Sequence, residues 1–149
     1  MSDSGHGQVS DSGHGGLFGA LFGRGAAGPS DQDWLQAMLD TEAALARAVE
    51  RARLAPAGAG AAVTAVARAE RFDAAELGRT AALVGNPVSA LVRALTAAVP
   101  PAARGAVHRG ATSQDIIDTA IMLLARRGID VIGADLRAAA ADAAGLAGA

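Results

Sequence analysis

The residues best suited to chemistry sit together in one stretch, His108-Arg109-Gly110-Ala111-Thr112-Ser113-Gln114-Asp115-Ile116-Ile117-Asp118-Thr119-Ala120, in a chain otherwise dominated by alanine, leucine and valine. The order of residue types describes a loop that turns into a helix. Gly110 supplies backbone freedom, and Thr112 or Ser113 can cap the helix start. Asp115 and Asp118 then bring negative charge to the first turn, where the helix dipole favours it. The unpaired amides of such a start, with two hydroxyls beside them, can hold a carboxylate or phosphate. His108 is the one side chain here that can give or take a proton near neutral pH. On spacing alone, Thr112, Ser113, Gln114 and Asp115 read first as a helix cap and second as an anion-holding corner. A single histidine such as His108 is more often structural, and Asn86, following Gly85, reads as a turn residue. Arg93 and Arg109 could add charge but read as solvated. No Ser/His/Asp triad, phosphate loop or metal cluster can be assembled, so no metal is expected.

The elements that must position this stretch are all helical. Residues 31–53 carry the clearest pattern: Ser30 is a good N-cap with Asp33 three residues on, and Trp34, Leu35, Met38, Leu39, Leu45 and Val49 recur at helical spacing. Asp40, Glu42, Arg47, Glu50 and Arg51 are expected mostly away from that stripe. Trp34 and Met38 could be taken for a ligand box, but at this spacing they read as core. Pro56 and Gly58-Ala59-Gly60 break the chain. Further helices are expected at 61–71, at 74–84 between Asp73 and Gly85, and at 88–99, closed by Pro100-Pro101. From Ser113 helical character persists almost to the end, interrupted by Gly128 and Gly133, where the helix of an isolated domain could break and that of a packed bundle could run straight through. Leu124, Ile129, Val131, Ile132 and Leu136 form a wide apolar face there, with too few partners in 149 residues, so exposed apolar surface or self-association is expected. No period-two strand pattern stands out. The fold class is all-α.

Composition narrows the rest. One ordinary domain fits the length, and with 3% aromatic residues the core must be built from small aliphatics. A net charge of −2 without a basic cluster gives no footing for nucleic acid. There are no cysteines, which excludes disulfides and thiolate metal sites. No signal peptide is read at the N-terminus, and no apolar run approaches the ~20 residues of a membrane span. No membrane association and a cytoplasmic location are therefore expected. Residues 1–16 hold Ser2-Asp3-Ser4-Gly5-His6-Gly7 and its copy Ser10-Asp11-Ser12-Gly13-His14-Gly15, a polar repeat that reads as a disordered tail rather than a metal site. Gly23-Arg24-Gly25-Ala26-Ala27-Gly28 satisfies Gly-x-Gly-x-x-Gly but lacks the βαβ context of a dinucleotide fingerprint. A flexible entry loop explains it better.

The stretch at 108–120 resembles the His-x-Gly-Ala-Thr-Ser-Gln-Asp segment of the fumarase/aspartase superfamily, including its Ile-Ile-Asp-Thr-Ala continuation. Among the members it is most similar to the 3-carboxy-cis,cis-muconate cycloisomerases, and adenylosuccinate lyases resemble the same stretch. Leu17-Phe18-Gly19-Ala20-Leu21-Phe22-Gly23 agrees with the cycloisomerases. So do Trp34-Leu35-Gln36-Ala37-Met38-Leu39-Asp40, Glu42-Ala43-Ala44-Leu45-Ala46 and Gly85-Asn86-Pro87-Val88. Arg109, where an aromatic residue is more usual, and Ser89-Ala90, in place of an apolar-proline pair, depart from them.

The resemblance implies a tail at 1–16, an N-terminal helical domain at 17–111, and the start of a central helical bundle at 112–149. It implies that Thr112-Ser113, with Gln114 and Asp115, bind a carboxylate of a small polycarboxylate substrate. Asn86 would be a neutral donor to a carboxylate oxygen, and His108 would orient the substrate or share a proton with it. It further implies a cofactor-free, cytoplasmic homotetramer of the β-ketoadipate pathway, with sites built from several subunits. The family's later histidine segment and its Gly-Ser-Ser loop with the catalytic serine do not occur in these residues. Little or no turnover is therefore expected from the 149 residues alone, and lactone formation by the purified chain would overturn that expectation. Another superfamily lyase, or a non-catalytic helical module docking on intact homologues, remains as an alternative.

Overall fold

The computed structural model describes residues 29–148. The duplicated tail, the 17–22 apolar patch and the glycine hexamer at 23–28 lie outside the described residues. Within them the chain forms α1 (Asp31–Arg51), α2 (Ala59–Val66), a 3-10 turn (Ala69–Arg71), α3 (Ala74–Val84), α4 (Pro87–Ala98), a second 3-10 turn (Pro101–Ala106) and α5 (Ser113–Ala147). No strand occurs among the described residues.

Helix α1 is the hub. It starts at a capping box: the Ser30 hydroxyl accepts from the Asp33 amide at 3.2 Å, and the Asp33 carboxylate accepts from the Ser30 amide at 2.9 Å. The Asp33 carboxyl also takes the Ser30 hydroxyl proton, and these bonds hold it below the ordinary carboxylate range. Along α1 the residues Leu35, Met38, Leu39, Ala43, Ala46 and Val49 are buried, with Trp34 and Leu45 packed against them. The helix ends at Arg51, two residues before the expected boundary, and Arg53 turns into the left-handed region with φ 61.

The expected second helix over 61–71 is two pieces, and the side chain of Gln36 explains the break. Its amide oxygen accepts from the Ala69 amide at 2.8 Å, and its nitrogen donates to the Ala67 carbonyl at 3.2 Å. A side chain from α1 thus satisfies backbone groups that a continuous helix would have paired internally. Helix α2 also depends on α1 at its start. Gly58 has no side chain to cap it, and the Glu50 carboxylate accepts from the Gly58 amide at 2.8 Å and the Gly60 amide at 2.7 Å. Those two bonds pull the Glu50 carboxyl below its ordinary range. The helices touch closely at Gly60, where a Cβ would stand 2.8 Å from the Arg47 Cα.

Helices α3 and α4 pack against each other. The expected signals are used as read: Asp73 accepts from the Glu76 amide at 3.0 Å, and Gly85 closes α3 in the left-handed region at φ 70. Helix α5 packs on α1 through its first turns only. Ile116, Ala120 and Leu124 are its buried residues, and Arg127 reaches Asp40 on α1 at 2.8 Å. Beyond that tie the helix passes Gly128 and Gly133 without a break. Of the apolar face expected to lack partners, Leu124 is buried, while Ile129, Val131, Ile132 and Leu136 are at least half exposed. At 1.5 Å per residue, the 35 residues of α5 span about 50 Å.

Two glycines with opposite surroundings test this packing. Gly60→Ala forces α1 and α2 apart and should cost about 1–3 kcal/mol, read as a lower urea midpoint. Gly78, inside α3 with open space around it, should tolerate alanine and gain up to about 1 kcal/mol in the same assay. Equal effects of the two substitutions would contradict the close contact.

Candidate functional site

The loop between the second 3-10 turn and α5 brings His108 to the head of α5. Gly110, at φ 77, makes the turn, as its position suggested. Thr112 is the N-cap, and it forms a second capping box with Asp115. The Asp115 carboxylate accepts from the Thr112 amide at 2.7 Å and the Thr112 hydroxyl at 2.8 Å, and the Thr112 hydroxyl accepts from the Asp115 amide at 3.3 Å. The Thr112 amide, then its hydroxyl, hold the Asp115 carboxyl below the ordinary aspartate range. The nearby His108 adds to this, and desolvation opposes it.

The cap commits Thr112 and Asp115 to each other. Gln114 likewise donates to Asp118 at 2.6 Å, and the Thr119 hydroxyl donates to the Asp115 carbonyl at 2.7 Å. Ser113 differs. It is half-buried, and its hydroxyl makes no hydrogen bond to any described residue. The amides of Ser113 and Gln114, first in the helix, have no intrahelical partner to donate to. The corner is open: Thr112, Gln114 and Asp115 are exposed, and His108 is partly exposed. An anion approaching the head of α5 would meet one hydroxyl, two amides and the dipole of a long helix. Arg109 beside it is exposed, and so is Arg93 on α4.

Asn86 sits at a different helix start. Its side-chain oxygen caps α4 by accepting from the Val88 amide at 2.8 Å, and its carbonyl takes the Ser89 hydroxyl at 3.3 Å. No hydrogen bond among the described residues joins it to the 108–115 stretch. An apolar cavity of about 280 Å³ lies between α1, α3, α4 and α5, lined by Trp34, Met38, Leu77, Pro87, Leu91 and Ile117 among others. None of the polar corner residues lines it, so Trp34 and Met38 belong to a core surface and not to an anion site. No group of three or more His, Cys, Asp or Glu residues among the described ones could hold a metal.

Sequence reasoning missed one residue entirely. Glu42 was expected to face away from the apolar stripe of α1, yet it is fully buried. One carboxyl oxygen lies 2.6 Å from the His108 Nδ1, and the other accepts from the His108 amide at 2.9 Å. A buried carboxyl is costly without partners, and His108 supplies both. The signal was present: Leu35, Leu39, Glu42, Ala46 and Val49 share one helical face, and a charge at the centre of an apolar stripe needs a partner from elsewhere in the fold.

The cap makes two measurable contributions. Thr112→Ala should lower stability by about 1 kcal/mol in urea denaturation. Because the folded Asp115 pKa is depressed, its contribution is complete above the unfolded value of roughly 3.9 and is lost as pH falls through the lower folded value. The stability gap between wild type and Asp115→Asn should therefore narrow below about pH 4 in an acid titration followed by urea melts.

No family model matches the chain. Individual relatives do. The nitrosuccinate lyase of Streptomyces davaonensis is 49% identical over 118 residues, covering 77% of this chain and 25% of that protein. The 3-carboxy-cis,cis-muconate cycloisomerase of Pseudomonas putida is 47% identical over 110 residues, covering 72% of this chain and 26% of that protein. The crystal structure of the 3-carboxy-cis,cis-muconate lactonizing enzyme from Pseudomonas putida superposes with a TM-score of 0.70 at 47% identity, over 72% of this chain and 25% of the other. The chain spans about a quarter of the length of the curated relatives it matches. An all-helical fold, a histidine-led helix head and these extended identities agree: the chain belongs to the fumarase/aspartase superfamily.

Proposed function

We propose that this chain is the N-terminal part of a cofactor-free 3-carboxy-cis,cis-muconate cycloisomerase. The observation that carries the reading is the 47% identity to a lactonizing enzyme, joined to a superposition at TM-score 0.70. In the reaction, one carboxylate oxygen of 3-carboxy-cis,cis-muconate forms a bond to a carbon of its own double bond. The neighbouring carbon takes up a proton, which gives 4-carboxymuconolactone. Every atom of the substrate is retained, so positioning and charge stabilisation are what the protein must supply.

Each corner residue has a part in that reading. The Ser113 hydroxyl and the Ser113 and Gln114 amides hold a substrate carboxylate at the head of α5. Thr112 and Asp115 fix the geometry of that head, and Thr112 can turn its hydroxyl to the substrate by exchanging partners. His108 orients the substrate or shares a proton with it, and Asn86 donates to a carboxylate from the head of α4. Residues 112–149 open a helical bundle whose further helices cover the exposed apolar face of α5. The complete enzyme is then a cytoplasmic homotetramer of the β-ketoadipate pathway, whose sites draw on several subunits.

A second reading is a lyase of the same superfamily, favoured by the 49% identity to a nitrosuccinate lyase over a slightly longer stretch. An adenylosuccinate lyase is a third substrate choice for the same corner. The three are separated by assaying the protein encoded by the complete reading frame on each substrate. Lactone formation from 3-carboxy-cis,cis-muconate is the expected result, and cleavage of nitrosuccinate or adenylosuccinate without it would replace the first reading. In the active protein Ser113→Ala should lower kcat/KM by about ten- to a hundredfold, the worth of one hydrogen bond to a charged group. An unchanged kcat/KM would remove Ser113 from the site.

A further inference from the structure

Glu42 spends both of its carboxyl oxygens on one residue 66 positions away, although an anchor between α1 and the loop would need only one. The two bonds do different things. His108 holds its backbone at φ 54, a left-handed conformation that a residue with a Cβ seldom adopts and that costs about 1–3 kcal/mol. The bond from its amide to Glu42 helps hold that conformation. The second bond, at 2.6 Å, reaches the imidazole itself at Nδ1. With both Glu42 oxygens acting as acceptors, as the oxygen bonded to the amide does, the proton of this bond sits on Nδ1. Nε2 is then the other face of the ring, and it makes no hydrogen bond to any described residue. The His108 side chain is 21% exposed against 0% for Glu42, which leaves part of the ring at the surface.

We infer that Glu42 is a positioning residue: it fixes His108 as the Nδ1–H tautomer and leaves Nε2 as the open nitrogen of the ring. This rests on the reading that His108 faces the substrate. The consequence is chemical. A neutral imidazole held this way offers a bare lone pair at Nε2, so it can accept a proton there and return it. The opposite tautomer would present only a donor. Glu42 itself touches no substrate.

The test is long-range 1H–15N correlation spectroscopy on the uniformly 15N-labelled 149-residue chain above neutral pH, with the His108 signals assigned by their loss in His108→Asn. The expected pattern is a protonated Nδ1 and an Nε2 shifted far downfield by its bare lone pair. A His108 with the proton on Nε2 would overturn the inference, because Glu42 would then be the donor and a neutral acid. In Glu42→Gln, with helicity checked by circular dichroism, the bias should be lost and both nitrogens should move towards an averaged position. A folded Glu42→Gln chain that retains the wild-type pattern would also overturn it. Should that variant not fold, the wild-type tautomer decides alone. No substrate enters the measurement, so a missing lactone product would leave the tautomer lock standing. A wrong tautomer would likewise leave the cycloisomerase reading standing.

Discussion

A core this rich in alanine and valine can bury enough surface only if its helices approach closely, and this constraint shapes the whole domain. Ala37, Ala46, Ala106 and Ala120 are fully inaccessible, and each contributes little area by itself. Contact must come from proximity, so α1 and α2 meet at Gly60 with no room for a single further carbon. Close approach also lets short side chains span between elements. Glu50 caps a helix that has no cap of its own, Gln36 satisfies a broken segment, and Glu42 reaches the loop before α5. All three lie on α1. The hydrophobic contacts bring the elements together, and these polar side chains fix their register.

Much of this was legible along the chain because helix signals are local. Ser30 with Asp33, Asp73 with Gly85, and Thr112 with Asp115 each lie within a few residues of the boundary they set, and each does what its spacing indicates. The main departures involve groups distant in sequence. The helix expected over 61–71 breaks because Gln36, more than thirty positions earlier, offers the backbone other partners. The second 3-10 turn, Pro101–Ala106, follows a proline pair that reads as a stop and gives no sign of what comes after. Burial of Glu42 depends on a partner 66 residues away, which no local pattern can supply. The candidate site divides the same way: its capping chemistry was readable, and its histidine partner was not.

The corner at the head of α5 carries two kinds of residue that sequence alone cannot separate. Thr112 and Asp115 are occupied with each other, and Ser113 has no side-chain partner among the described residues. Hydroxyl and acid at a helix start look alike on paper, whether they hold the helix or a ligand. The geometry assigns the first task to one pair, and the proposed reading gives the second to the neighbouring hydroxyl and amides. Substrates with several carboxylates suit such a corner, because a neutral set of donors and a helix dipole hold an anion without a buried counter-ion.

The long reach of α5 has a consequence for how this chain melts. Its buried residues end at Leu124, so more than a turn beyond the Arg127–Asp40 tie the helix is held by its own hydrogen bonds alone. Helices without tertiary support are marginal and fray from the free end, independently of the packed core. Trp34, the sole tryptophan of the chain, sits on α1 against that core and reports only on it. Far-ultraviolet ellipticity sums over every helical residue, the projecting arm included. The two probes watch different cooperative units, so a single transition temperature does not describe this molecule.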